Sequence, residues 1–120
     1  MFFLLWAFRA DKLYDMSWIY LLLAGICEIG FAGSLKLMDG YRHFFWTVTC
    51  IICFVCSFAF LQLSVRDIPI GTAYAVWTGI GGAGAAIIGI YYFNDPVNTW
   101  RIIFLCLLVT SIIGLKLSSH

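Results

Sequence analysis

Residues 17–38 read SWIYLLLAGICEIGFAGSLKLM, an apolar run with a single acid, Glu28, near its middle. A helix rises about 1.5 Å per residue, so about 20 residues cross a hydrocarbon core of about 30 Å. The run is therefore read as a transmembrane helix, and the rest of the chain repeats the pattern. Residues 44–65 carry no charge at all. Residues 68–93 open after Arg66-Asp67 with Pro69-Ile70-Gly71, a breaker followed by a helix start. The last block, 97–118, has an uncharged centre at 102–115 that Arg101 and Lys116 extend, because their stems lie in lipid while their heads reach the interface. The expectation is an all-α integral membrane protein with four transmembrane helices per protomer, at about 17–38, 44–65, 68–93 and 97–118.

Composition points the same way. Of the 120 residues 63% are hydrophobic and 11% charged, whereas a soluble domain has about 45–50% apolar and about 25% charged residues. A chain this short buries only about two thirds of its unfolded surface, and the apolar remainder would be exposed to water. Lipid removes that conflict. The net charge is +1, and the seven Lys and Arg are scattered singly, which argues against a nucleic-acid partner. The loops at 39–43, 66–67 and 94–98 leave no extramembrane domain for an enzyme active site, so no enzymatic activity is expected. All five cysteines fall in apolar stretches and read as small packing residues. Cys50, Cys53 and Cys56 share a spacing of three that could hold a metal, but no fourth ligand of the usual kind is near. No metal and no cofactor are expected.

Residues 1–15, MFFLLWAFRADKLYD, place their charges after a short apolar run, the reverse of a secretory signal. Met16 opens MSWIY, a natural helix start, so 1–15 is expected to be an added extension and 16–120 the four-helix transmembrane domain. Orientation follows Lys and Arg in the loops. With four spans, Arg9, Lys12, Arg66 and Lys116 share one side, and Lys36, Arg42 and Arg101 the other. This even balance permits insertion in both directions, and hence an antiparallel dimer.

Glu28 is the only glutamate and the only acid inside a span. An ionisable group at that depth costs at least about 2.5 kcal/mol and by default marks an ion or proton pathway. Lost hydration penalises the carboxylate, and a second copy of the same acid across a dimer interface adds to the penalty. A carboxylate that holds either a proton or a cation, and not both, is the minimum device for exchange. The static alternatives pair Glu28 with a buried base or hold it protonated as an interhelical hydrogen-bond donor; against the first, Lys36 is eight residues on, about 12 Å along the axis. Helical spacing puts Ala24, Gly25, Phe31, Ala32 and Leu35 on the face of Glu28. Small residues there admit another helix or a ligand, and Phe31 offers an aromatic wall. In the third block Tyr74 and Trp77 share a face with polar tips that need partners. The glycines from Gly79 onward permit close helix crossing, or a bend between two states. Ser57 is the only hydroxyl near mid-depth in the second block, suited to bond a carboxylate, a ligand or its own helix.

The stretches AGICE at 24–28, PIGTAYAVWTGIGG at 69–82 and GLKL at 114–117 resemble the small multidrug resistance family, and specifically its guanidinium-exporter branch. The similarity covers about residues 16–119. It implies a four-helix protomer working as an antiparallel, dual-topology dimer with one site between subunits, the fourth helix serving mainly the interface. It implies proton-coupled antiport of guanidinium or small guanidinyl cations across the bacterial inner membrane, the two central glutamates binding substrate and protons alternately. Glu28 would be the exchange residue, and Ser57, Tyr74 and Trp77 match positions that line and hydrogen-bond the glutamates. One departure matters: the branch usually carries tryptophan three residues after the glutamate, and this chain has Phe31. Phenylalanine keeps a stacking face but lacks the indole N–H. A broader quaternary-ammonium exporter, or one subunit of a heterodimeric pair, therefore stays open. The expected partners are a small organic cation, protons, the lipid bilayer and a second subunit. Guanidinium suits such a site because it is planar and donates paired N–H bonds to a carboxylate.

Overall fold

A computed structural model describes residues 1–118, without the side chains of residues 6–11. The charged groups of Arg9 and Asp11 in the expected extension, and residues 119–120 of the expected transporter domain, lie outside the described residues. The chain forms four helices: α1 (Phe2–Leu37), α2 (Phe44–Ser64), α3 (Ile70–Tyr92) and α4 (Thr99–Ser118). Each contains a stretch long and apolar enough to cross a membrane, that of α1 being Lys12–Leu37.

The last three helices start and stop close to where the charges and breakers place them. The first begins at Phe2 rather than near residue 17. The reason is local: no Gly or Pro occurs before Gly25, so nothing interrupts the backbone ladder, and charges at 9–15 do not break a helix. At 36 residues α1 is about 54 Å long, and it accounts for most of the 58 Å long dimension of the molecule.

Short connections fix the helix ends. After α1 the chain reverses through Gly40, whose φ of +62° suits a residue without Cβ. Between α2 and α3, the N–H groups of Asp67 and Ile68 both donate to the Ser64 carbonyl, and Ser17 Oγ of α1 donates to Asp67 Oδ2 at 2.7 Å. That bond ties the loop to the first helix. Asn98 Oδ1 accepts the Arg101 N–H at 2.8 Å and so caps α4, while Arg101 pairs with Asp95 at 3.5 Å.

In lipid, helices associate through close packing rather than escape from water, and the packing here is centred on α1, which meets α2 most extensively and α3 next. Leu21 and Ala24 of α1 and Ala73, Val76 and Trp77 of α3 form a buried seam, with Leu61 of α2 completing it. Glycines let the backbones approach. A Cβ at Gly25 would lie 2.6 Å from Ile80, one at Gly84 would overlap Ile29, and one at Gly79 would lie 2.7 Å from Ile112 of α4. Of the two roles open to the glycine run, close crossing is therefore the one the packing displays. The outer face of α2 shows the opposite character: Ile51, Ile52, Phe54, Val55 and Phe58 are 46–58% exposed, a surface for lipid or another subunit. α4 has no buried residue.

Candidate functional site

Glu28 sits half-buried in the part of α1 that crosses α3. Its side chain lies on the backbone of Gly81, where an added Cβ would overlap Glu28 Cγ. The small residues expected to leave room beside the acid are filled by protein: Ile80 occupies the space over Gly25, and Ala24 is fully buried.

A hydrogen-bonded chain passes beneath the acid and joins three helices. Trp77 Nε1 of α3 donates to Ser57 Oγ of α2 at 2.9 Å, and Ser57 Oγ donates to the Ala24 carbonyl of α1 at 2.7 Å. Ser57 is fully buried, so each bond replaces water that cannot reach it. The hydroxyl proton of Ser57 goes to the neighbouring helix rather than to its own. Ser57 also interacts with the Glu28 carboxylate. A hydroxyl carries one proton, so bonding the carboxylate means releasing Ala24.

The other two expected residues lie at the edge of this cluster. Tyr74 packs edge-on against Trp77, with ring centroids 5.2 Å apart. It is 55% exposed, and its hydroxyl has no hydrogen bond among the described residues. Phe31 is half-buried, and its ring meets Phe54 of α2 at 5.5 Å; Phe54 in turn stacks on Phe58 at 6.2 Å. The structure thus joins Glu28, Ser57 and Trp77, leaves Tyr74 at the rim, and turns Phe31 into an aromatic row along α2. The Ala24 carbonyl and Gly81 are parts of the cluster that the sequence did not single out in these roles. A backbone acceptor leaves no trace in side-chain pattern, and Gly81 is one glycine among several.

The cysteines pack. Cys53 Sγ lies over Gly30, where a Cβ would be 3.1 Å away, and Cys50 Sγ faces the Phe31 carbonyl at 3.9 Å. Among the described residues no three His, Cys, Asp or Glu are grouped to hold a metal ion.

A groove of about 520 Å³ begins at Ile29, next to Glu28, and is lined by Gly30 and Gly33 of α1, Trp46 of α2, and Tyr92 and Phe93 at the end of α3. A smaller hollow of about 200 Å³ lies on the other side of the cluster, against Tyr74, Phe58 and Gln62.

Comparison with known proteins supplies the family. The family model described as Small Multidrug Resistance protein matches residues 16–108. The chain is similar to the guanidinium exporter of Escherichia coli K12, with 45% identity over 105 residues, covering 88% of this chain and all of that protein. It is likewise 46% identical, over the same shares, to the guanidinium exporters of Citrobacter freundii and Salmonella typhimurium. Four apolar helices and bacterial exporters as relatives make this a multi-pass protein of the bacterial inner membrane. The family match begins within the apolar part of α1 and enters all four helices, and the relatives are covered end to end: the chain belongs to the Small Multidrug Resistance protein family.

Proposed function

We propose that the protein is a proton-coupled antiporter that exports guanidinium or small guanidinyl cations, working as an antiparallel, dual-topology dimer. The observation that carries this reading is the placement of Glu28, the only glutamate of the chain and the one acid of the span Lys12–Leu37 set away from its ends, laid on Gly81 and interacting with the Ser57 hydroxyl. The names of the relatives supply the substrate class.

The exchange follows from the chemistry of these groups. When Glu28 is protonated it needs no counter-charge, and the Ser57 proton goes to Ala24, as in the bond observed here. When Glu28 is ionised in a low-dielectric setting it demands a cation or hydrogen-bond donors. An arriving guanidinium offers two parallel N–H groups to a carboxylate. Proton and guanidinium compete for the same oxygens, so binding one expels the other, and a proton gradient drives the cation outward.

One protomer holds half of such a site. Its single carboxylate can face only part of a planar cation with donors on every side, and the Tyr74 hydroxyl, half-exposed at the rim, is available to complete the set. A second copy facing the first would supply the second carboxylate. The exposed α2 face and α4, which buries nothing within the protomer, are surfaces for that contact.

A second reading has one observation in its favour. The row Phe31, Phe54, Phe58 is an aromatic wall where the branch usually has a tryptophan, and it suits alkylated cations that donate no hydrogen bonds. The deciding experiment reconstitutes the purified chain in liposomes and records pH-gradient-driven currents with guanidinium and with tetraethylammonium. Guanidinium currents that vanish in Glu28→Gln support the leading reading; tetraethylammonium currents alone overturn it in favour of the second.

A further inference from the structure

The groove that begins at Ile29 ends at an aromatic ring that a positive charge already covers. Lys36 Nζ stands 5.0 Å from the centroid of Phe93, and Phe93 lines the groove together with Tyr92 and Trp46. From Glu28 to Lys36 is eight residues, about 12 Å along α1. The floor between is open, since a Cβ built at Gly33 meets nothing within 4 Å.

The ammonium has no acid to hold it. Of the acids near this end of the bundle, Asp39 pairs with Arg42 at 4.0 Å and Asp95 with Arg101 at 3.5 Å. Among the described residues Lys36 makes no ion pair, and the Phe93 ring is its one recorded partner. Such a contact is weak and exchangeable, and a guanidinium takes the place of an ammonium on a ring face readily because it can lie flat against it. The opposite end of the bundle offers a contrast. There Lys116 sits 4.6 Å from the Trp18 ring, but Trp18 is 5% exposed and belongs to the packed core, so that lysine covers a filled seam.

Building on the proposed function, we infer that Phe93 is an outer docking site for the transported organic cation, at the mouth of a groove that runs to Ile29, one residue from Glu28, and that Lys36 occupies this site when the cation is absent. A guanidinium entering or leaving displaces the ammonium from the ring. Lys36, once displaced, adds a like charge at the mouth that disfavours entry of a second cation.

The test measures currents from the full-length chain in proteoliposomes on a solid-supported membrane, as a function of guanidinium concentration, with Glu28→Gln in parallel. Phe93→Leu is expected to raise the half-saturating concentration about threefold, and Phe93→Trp to restore it, the size of change that loss of one cation–π contact gives. Lys36→Met removes the competitor and is expected to lower that concentration by about the same factor. An unchanged value in both Phe93→Leu and Lys36→Met overturns the inference, as does an equal rise in Phe93→Leu and Phe93→Trp, which would make the ring mere packing. If Phe93→Leu does not assemble, Lys36→Met, on an exposed side chain, decides alone. Currents that persist in Glu28→Gln, or their absence from the wild-type chain, overturn the antiport reading itself and the docking site with it.

Discussion

Glu28 Cγ rests on the backbone of Gly81, where no side chain could share the space. The position of the carboxylate is therefore set by α3 as much as by the helix that carries it. Gly81→Ala must displace either the acid or the helix, while Gly82→Ala meets nothing within 4 Å. The first is expected to cut guanidinium currents at least about tenfold, the scale for misplacing an exchanging group by about 1 Å, and the second to leave them near wild type. Equal behaviour of the two would detach function from the crossing at Gly81.

Proton and substrate share one carboxylate in this account, and that fixes the sign of the pH dependence. Protonated Glu28 has no charge to offer a cation, so the half-saturating guanidinium concentration should fall as pH rises through the titration of the site. Above it the value should level off, because no further proton is displaced. Isothermal titration of the purified protein between acid and alkaline pH measures this directly. A flat profile across the range would show that cation and proton use different groups.

The recognition of Glu28 needed only composition and length, because an acid inside an apolar block of membrane-spanning size has few bland explanations. Spans α2 to α4 were legible for the same reason: Arg66-Asp67-Ile68-Pro69 and Asn94-Asp95-Pro96 interrupt the apolar runs with breakers. The start of α1 was not, since charge between 9 and 15 suggests a boundary that helix geometry does not enforce. Which glycine seats which side chain was also hidden. Gly79, Gly81, Gly82 and Gly84 are alike in sequence, and only the crossing of α1 over α3 assigns Glu28 to the second of them. The bond from Ser17 to Asp67 joins residues 50 apart, and no periodicity encodes it.

Ser57 is the hub of a chain with a bond on each side, so its removal should cost more than loss of either end. Ser57→Ala leaves the Trp77 N–H without its acceptor and the Ala24 carbonyl without its donor. An unsatisfied buried group costs about 1–3 kcal/mol. Trp77→Phe removes the donor itself and spares the bond to Ala24. Thermal unfolding in detergent is expected to rank wild type above Trp77→Phe, and Trp77→Phe above Ser57→Ala. The reverse order would mean that the Trp77 ring, packed on Tyr74, matters more than its N–H.

Phe31 is where this chain departs from the branch it resembles, and its ring is already engaged with Phe54 at 5.5 Å. A tryptophan at 31 would keep an aromatic face toward that row and add an N–H within one helical turn of Glu28. A donor held near the carboxylate favours substrates that form directed hydrogen bonds and gives nothing to those that only need an apolar wall. Phe31→Trp is therefore expected to raise the ratio of guanidinium to tetraethylammonium transport by about tenfold, the effect of roughly one well-placed hydrogen bond. If the ratio does not move, the discrimination lies elsewhere, in the Ser57 and Tyr74 hydroxyls that a planar donor can reach and a quaternary ammonium cannot use.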